Sequence, residues 1–83
     1  MILQISDKID VLAVYKDTFL PFRIRWNGRV YRILKLGYHH KVRVGNVIHH
    51  IFSVATDNLA LRLNFDTDNL SWTLEEVSDG FAD

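Results

Sequence analysis

Apolar and polar residues alternate with a period near two along almost the whole chain, and that period marks half-buried β-strands. Turn dipeptides interrupt the alternation at regular spacing: Asn27-Gly28, Gly45-Asn46, Asp57-Asn58, and then Asp66-Thr67-Asp68-Asn69. Gly, Asn and Asp tolerate the positive φ that tight hairpins need. The pattern predicts strands near residues 9–16, 20–26, 29–36, 39–44, 47–56, 59–66 and 70–77, with the third and fourth read also as one long strand bent at Gly37. Residues 1–7 read as an arm or an edge strand, and 78–83 as a frayed polar tail.

Turn positions set registers, and registers set faces. A two-residue loop at Asn27-Gly28 pairs Trp26 with Arg29, Ile24 with Tyr31 and Phe22 with Ile33. It leaves Arg23 opposite Arg32, and Arg25 opposite Val30, on the other face. A four-residue loop at 66–69 pairs Phe65 with Leu70, Leu63 with Trp72 and Leu61 with Leu74. The Asp57-Asn58 turn pairs Val54 with Leu61 and Phe52 with Leu63. Three turns therefore agree on one core: Phe22, Ile24, Trp26, Tyr31, Ile33, Phe52, Val54, Leu61, Leu63, Phe65, Leu70, Trp72 and Leu74. The fold expected is all-β, a small antiparallel meander of six or seven strands in a curled sheet or small barrel.

Length and composition bound the rest. The 83 residues make a single β domain (1–83) with a marginal core. There is room for a shallow groove and little for a deep enzyme pocket. With no Cys there is neither a disulfide framework nor a thiol metal site. No apolar run approaches a membrane span and no leader pattern is visible, so a cytoplasmic location is expected by default.

Charge adds the main functional clue. Net charge is zero, yet residues 18–56 contain no Asp or Glu and hold seven of the ten Lys and Arg and all four His. From Asp57 onward seven acids face one base, Arg62. Like charges opposed across a strand pair cost about 0.2–1 kcal/mol. Two bland readings are available: long Arg stems covering apolar neighbours, or pairing with the acidic C-terminal third. The functional reading is an anion-binding face of Arg23, Arg25, Arg32, Lys41 and Arg43, suited to nucleic-acid phosphates. Arg29 sits on the core face beside Trp26, where stacking on the indole is expected. Phe19, Tyr15 and Tyr38 serve either as stacking platforms for single-stranded bases or as plugs at the barrel ends.

The hairpin around Gly45-Asn46 carries two further patterns. Its register makes His40 and His49 diagonal neighbours on one face, and His39 and His50 on the other. Each pair supplies only two ligands, and Lys41 and Arg43 repel a cation, so no metal or cofactor is expected. Val42, Val44, Val47 and Ile51 form a stripe on the face opposite the core. This stripe is a candidate surface for a protein partner or self-association, unless a bulge at Gly37 or Gly45 turns it inward.

Catalysis is not visible, and a non-enzymatic binding module is expected. Ser53 falls across from Arg62 with no carboxylate to orient a base. Glu75 and Glu76 point to opposite faces of a regular strand. Asp66 and Asp68 are expected in a turn for backbone reasons.

Pro21-Phe22-Arg23-Ile24-Arg25-Trp26-Asn27-Gly28-Arg29-Val30-Tyr31-Arg32-Ile33, with the later Phe65-Asp66 and Leu70-Ser71-Trp72-Thr73-Leu74, resembles a family of small uncharacterised bacterial domains. Their shared pattern is an aromatic residue, then Trp-x-Gly-Arg-x-Tyr, then a late strand with Phe-Asp and Trp-x-Leu. Some members lie beside or fused to DNA-repair polymerases, which implies association with nucleic acid or a repair complex, while no activity carries over from the resemblance. The chain departs from the pattern at Tyr38-His39-His40, where relatives tend to carry a Trp.

Overall fold

A computed structural model describes residues 2–79. Among them are seven antiparallel strands: β1 (Ile2–Tyr15), β2 (Phe19–Trp26), β3 (Arg29–Arg32), β4 (Lys35–Val44), β5 (Val47–Ala55), β6 (Ala60–Asp66) and β7 (Ser71–Ser78). They form one sheet in the order β3-β2-β1-β7-β6-β5-β4.

The sheet is open but curled. Phe19 of β2 and Phe52 of β5 are separated in the sheet by β1, β7 and β6. At ~4.8 Å per strand, a flat sheet would hold them ~19 Å apart. Their ring centroids are instead 5.7 Å apart. The two-residue link between β3 and β4 bonds to the strand next to each margin: Ile33 N–H donates to the Phe22 carbonyl of β2 at 3.0 Å and Leu34 N–H to the Ala55 carbonyl of β5 at 2.8 Å. No ladder joins β3 to β4, so the barrel expected as one option does not close.

Curling buries residues on one face of β1, β2, β5, β6 and β7, while β3 and β4 at the margins stay largely exposed. The core is Ile9, Ile24, Phe52, Val54, Leu61, Leu63, Leu74 and Val77, with Phe19, Trp26, Tyr31, Ile33 and Trp72 packed against it. Phe19 is the plug: its ring meets Phe52, Phe65, Trp72 and His50.

Three expected registers hold, including that of the Gly45-Asn46 hairpin, where Val42 faces His49 and His40 faces Ile51. Asn27 (φ 54°) and Gly28 (φ 76°) are both left-handed, which is the tight hairpin turn that keeps Arg23 opposite Arg32 and Ile24 opposite Tyr31. Val54 faces Leu61 and Phe52 faces Leu63.

The last hairpin differs. Phe65 pairs with Trp72, and Leu63 with Leu74, so its turn is Thr67–Leu70 rather than 66–69. Asp66 Oδ1 accepts from Asp68 N–H (2.8 Å) and Asn69 N–H (3.3 Å), anchoring the turn one residue later. Leu70 therefore leaves the core and sits exposed at φ 57°. A register shift of two residues preserves the faces of Leu63, Phe65, Trp72 and Leu74.

Phe22 is also more exposed than expected, because Leu12 pairs with Arg23 and Ala13 with Pro21, so Phe22 falls in a bulge. The segment read as an arm or edge is the first half of the longest strand: it pairs with β7 from Ile2 to Ile9, and β1 turns to β2 from Asp10 onward. Ser78 still belongs to β7, paired with Ile2 and Ala60, whereas 80–83, the rest of the expected frayed tail, lie outside the described residues.

Candidate contact surface

The outer face of β1–β2–β3 is built from two rows. Leu12, Arg23 and Arg32 are successive cross-strand partners, and so are Asp10, Arg25 and Val30. Ile24, one residue away, is almost fully buried, so both rows point away from the core. Arg25 is neutralised: its Nη2 lies 2.6 Å from Asp10 Oδ2, and its Nε donates to the same oxygen at 3.1 Å. Among the described residues no carboxylate pairs with Arg23 or Arg32. Asp57 borders the same hollow as Arg32 without pairing to it. Leu12, Val30 and Leu34 flank these guanidinium groups and are 54%, 61% and 60% exposed. An apolar groove of about 470 Å³ continues this surface, lined by Val14, Leu20, Pro21, Phe22, Ile33 and Leu34.

The five cations read as one basic face are divided. Lys41 pairs with His50, and His39 with the buried Phe52, so Lys41 and Arg43 continue the core side of β4 beyond the core. Arg23, Arg25 and Arg32 lie on the outside. The bulge at Gly37, between Leu36 and Tyr38, decides which side each β4 residue takes. A Cβ at Gly37 would meet the Ser53 carbonyl oxygen at 3.1 Å.

The stripe on the other face of the β4–β5 hairpin is present in part. Val42 and Val44 are exposed on the margin strand, Val47 is half-buried, and Ile51 is buried. Ile51 lies between His40 of β4 and Asn64 of β6, with a strand on either side. Tyr38 and His40 stack on this same face with centroids 5.2 Å apart.

The histidines separate into two settings. His39 Nε2 and His50 Nδ1 are 2.7 Å apart, and His39 stacks on Phe52 at 4.2 Å. Burial, and then Lys41 and His40, lower the pKa of His39. Burial, and then His39 and Lys41, lower that of His50. His49 Nδ1 lies 2.8 Å from Asn64 Oδ1, on the opposite face. No group of three or more metal-ligating side chains occurs among the described residues.

Sequence reasoning missed one polar network. Leu63 pairs with Leu74 but Arg62 with Glu76, so Glu75 sits in a bulge. Glu75 and Glu76 consequently do not point apart: Arg62 reaches Glu75 Oε1 and Glu76 Oε2, each at 3.1 Å. Asn64 Nδ2 donates to Glu75 Oε2 at 2.7 Å, and Gln4 Nε2 to Glu76 Oε2 at 3.0 Å. Two carboxylates against one guanidinium and two amides form a structural clamp between strands. Ser53 does face Arg62. Arg29 is exposed, and the Trp26 indole N–H donates to Asp7 Oδ2 at 2.9 Å while its ring lies beside Tyr31.

Comparison with family models, curated proteins and solved structures finds no match to this chain.

Proposed function

We propose that this domain is a non-catalytic binding module of the cytoplasm, and that it binds a partner protein through the outer face of β1–β2–β3. The observation that carries this reading is the opposition of Arg23 to Arg32 with no carboxylate paired to either among the described residues. Opposed like charges destabilise a strand pair. A partner carboxylate between them would relieve that repulsion with planar, bidentate geometry. The flanking Leu12, Val30 and Leu34 give the mixture of arginine and aliphatic area typical of protein interfaces. The test is crosslinking and mass spectrometry on cell extract with the wild type and with Arg23→Glu/Arg32→Glu. Support requires crosslinks mapping to β2–β3 that the variant loses; crosslinks unchanged by the variant reject the reading.

A second reading, nucleic-acid binding, is favoured by the absence of any acid between Thr18 and Thr56 and by the exposed Tyr38–His40 stack. The resemblance to domains that accompany repair polymerases points the same way. Arg23 and Arg32 would supply phosphate contacts on the outer face and Lys41 and Arg43 on the other, with Arg25 held by Asp10. Fluorescence anisotropy with a labelled dT oligonucleotide tests it: affinity should fall with salt by a log–log slope of about −0.7 per contact. Absence of binding at ~50 mM salt counts against it.

A further inference from the structure

We propose that the free margin of β4, from Tyr38 to Val44, accepts an extended acidic segment of a partner protein as an added strand. This surface is separate from the outer face of β1–β3, and the inference does not rest on that reading.

Among the described residues β4 has β5 as its single neighbour in the sheet. Its other side is a row of backbone N–H and C=O groups with no strand to pair them. The opposite margin, β3, is four residues long, whereas β4 has ten and no proline. Short strands, prolines and charged side chains are the usual protection of a sheet margin, and of these β4 carries only the last, in Lys35, Lys41 and Arg43. Beyond the Gly37 bulge, β4 pairs with β5 without interruption from Tyr38 to Val44, and every residue from His40 to Val44 is exposed. This run is a template for strand addition, in which main-chain hydrogen bonds give affinity and alternate side chains give specificity.

The side chains define the occupant. Lys41 and Arg43 project to one face and Tyr38, His40, Val42 and Val44 to the other. Neither cation has a carboxylate partner among the described residues. A complementary strand therefore alternates acidic and apolar residues, with its acids beside Lys41 and Arg43. A second copy of this chain does not fit. Antiparallel pairing of two β4 margins about a two-fold axis normal to the sheet places both sets of Lys41 and Arg43 on one face, like charge against like.

The probe is a capped heptapeptide of alternating Glu and Val, followed by amide hydrogen exchange and chemical shifts in the NMR spectrum of the 83-residue chain. Slowed exchange confined to β4 between Tyr38 and Val44 is expected. Affinity should fall about tenfold or more in Lys41→Glu/Arg43→Glu, whose own spectrum reports that it is folded, and should be lost when alternate peptide nitrogens are methylated. A Lys-Val peptide should not bind. The proposal is overturned by no slowing at saturating peptide, by equal protection from the Lys-Val peptide or a dT oligonucleotide, or by equal binding to the charge-reversed variant. In the last two cases the cations merely guard the margin. In Arg23→Glu/Arg32→Glu the slowed exchange at β4 should persist, so the outer-face reading and this one fail separately.

Discussion

His39 Nε2 and His50 Nδ1 lie 2.7 Å apart, so one ring N–H bridges two neutral imidazoles, and His39 stacks on the core ring of Phe52. The groups around the pair disfavour charging either ring. Lys41 is directly opposite His50, His40 adjoins His39 in the chain, and the other neighbours are the rings of Phe19, Phe52 and Phe65.

This arrangement makes stability depend on pH. Both imidazoles have folded-state pKa values below the ordinary 6.5, so between those values and 6.5 the unfolded chain binds more protons. Stability is therefore complete above about pH 6.5 and falls as pH drops through that window. Urea unfolding at a series of pH values from about 7.5 to 5 should show the decline, and His39→Phe should flatten it. A wild-type curve that is level, or that rises toward acid, would refute the assignment.

Arg23 and Arg32 repel each other across β2 and β3, so Arg32→Gln should raise stability by about 0.2–1 kcal/mol at low salt. Added salt should narrow the difference by screening the wild-type repulsion. Thermal melts at two ionic strengths check both points. A destabilised Arg32→Gln would mean that the guanidinium stem covers apolar area worth more than the repulsion.

Asp10 holds Arg25 in an ion pair whose side chains are 70% and 62% exposed. Solvent screens such a pair, so Asp10→Asn should cost under ~1 kcal/mol. It should also release a third cation beside Arg23 and Arg32 and strengthen binding of a polyanion such as heparin. Heparin-column elution at higher salt than the wild type is the expected result, and unchanged elution would show that Arg25 adds nothing to the surface.

Leu70 is exposed at φ 57°, a conformation that costs an ordinary L-residue about 1 kcal/mol or more. Leu70→Asn should therefore stabilise the domain, by about 0.5–1 kcal/mol in urea unfolding. Phe52→Ala, by contrast, empties the centre of the aromatic cluster and should cost about 3–5 kcal/mol, enough to unfold much of so small a domain. If both variants melt like the wild type, the turn and the core have been misplaced.

Much of the fold was legible because hairpin chemistry is local. Asn27-Gly28 set the register of Arg23 against Arg32, and Gly45-Asn46 set that of Val42 against His49. The last turn lies one residue later than the sequence suggests, yet Leu63, Phe65, Trp72 and Leu74 keep their faces because the pairing differs by two residues, while Leu61 meets Val77 across the Glu75 bulge and stays buried. The contact surface was less legible. Nothing near Arg25 in the chain announces Asp10, and nothing at Glu75 or Phe22 announces a bulge. In each case an inserted or distant residue changes the neighbours without changing the alternation.

The sequence by itself determined that the chain forms strands, where most of them turn, and which residues seek the interior, because a side-chain period of two and the φ preferences of Asn and Gly act within a few residues. Tertiary structure alone decided that β1 would join β7 from the far end of the chain, that Phe19 would close over Phe52, and that the arginines of β2–β3 and the cations of β4 would face different ways. Those outcomes depend on how a curled sheet packs against itself, where one bulge at Gly37 redirects every side chain after it.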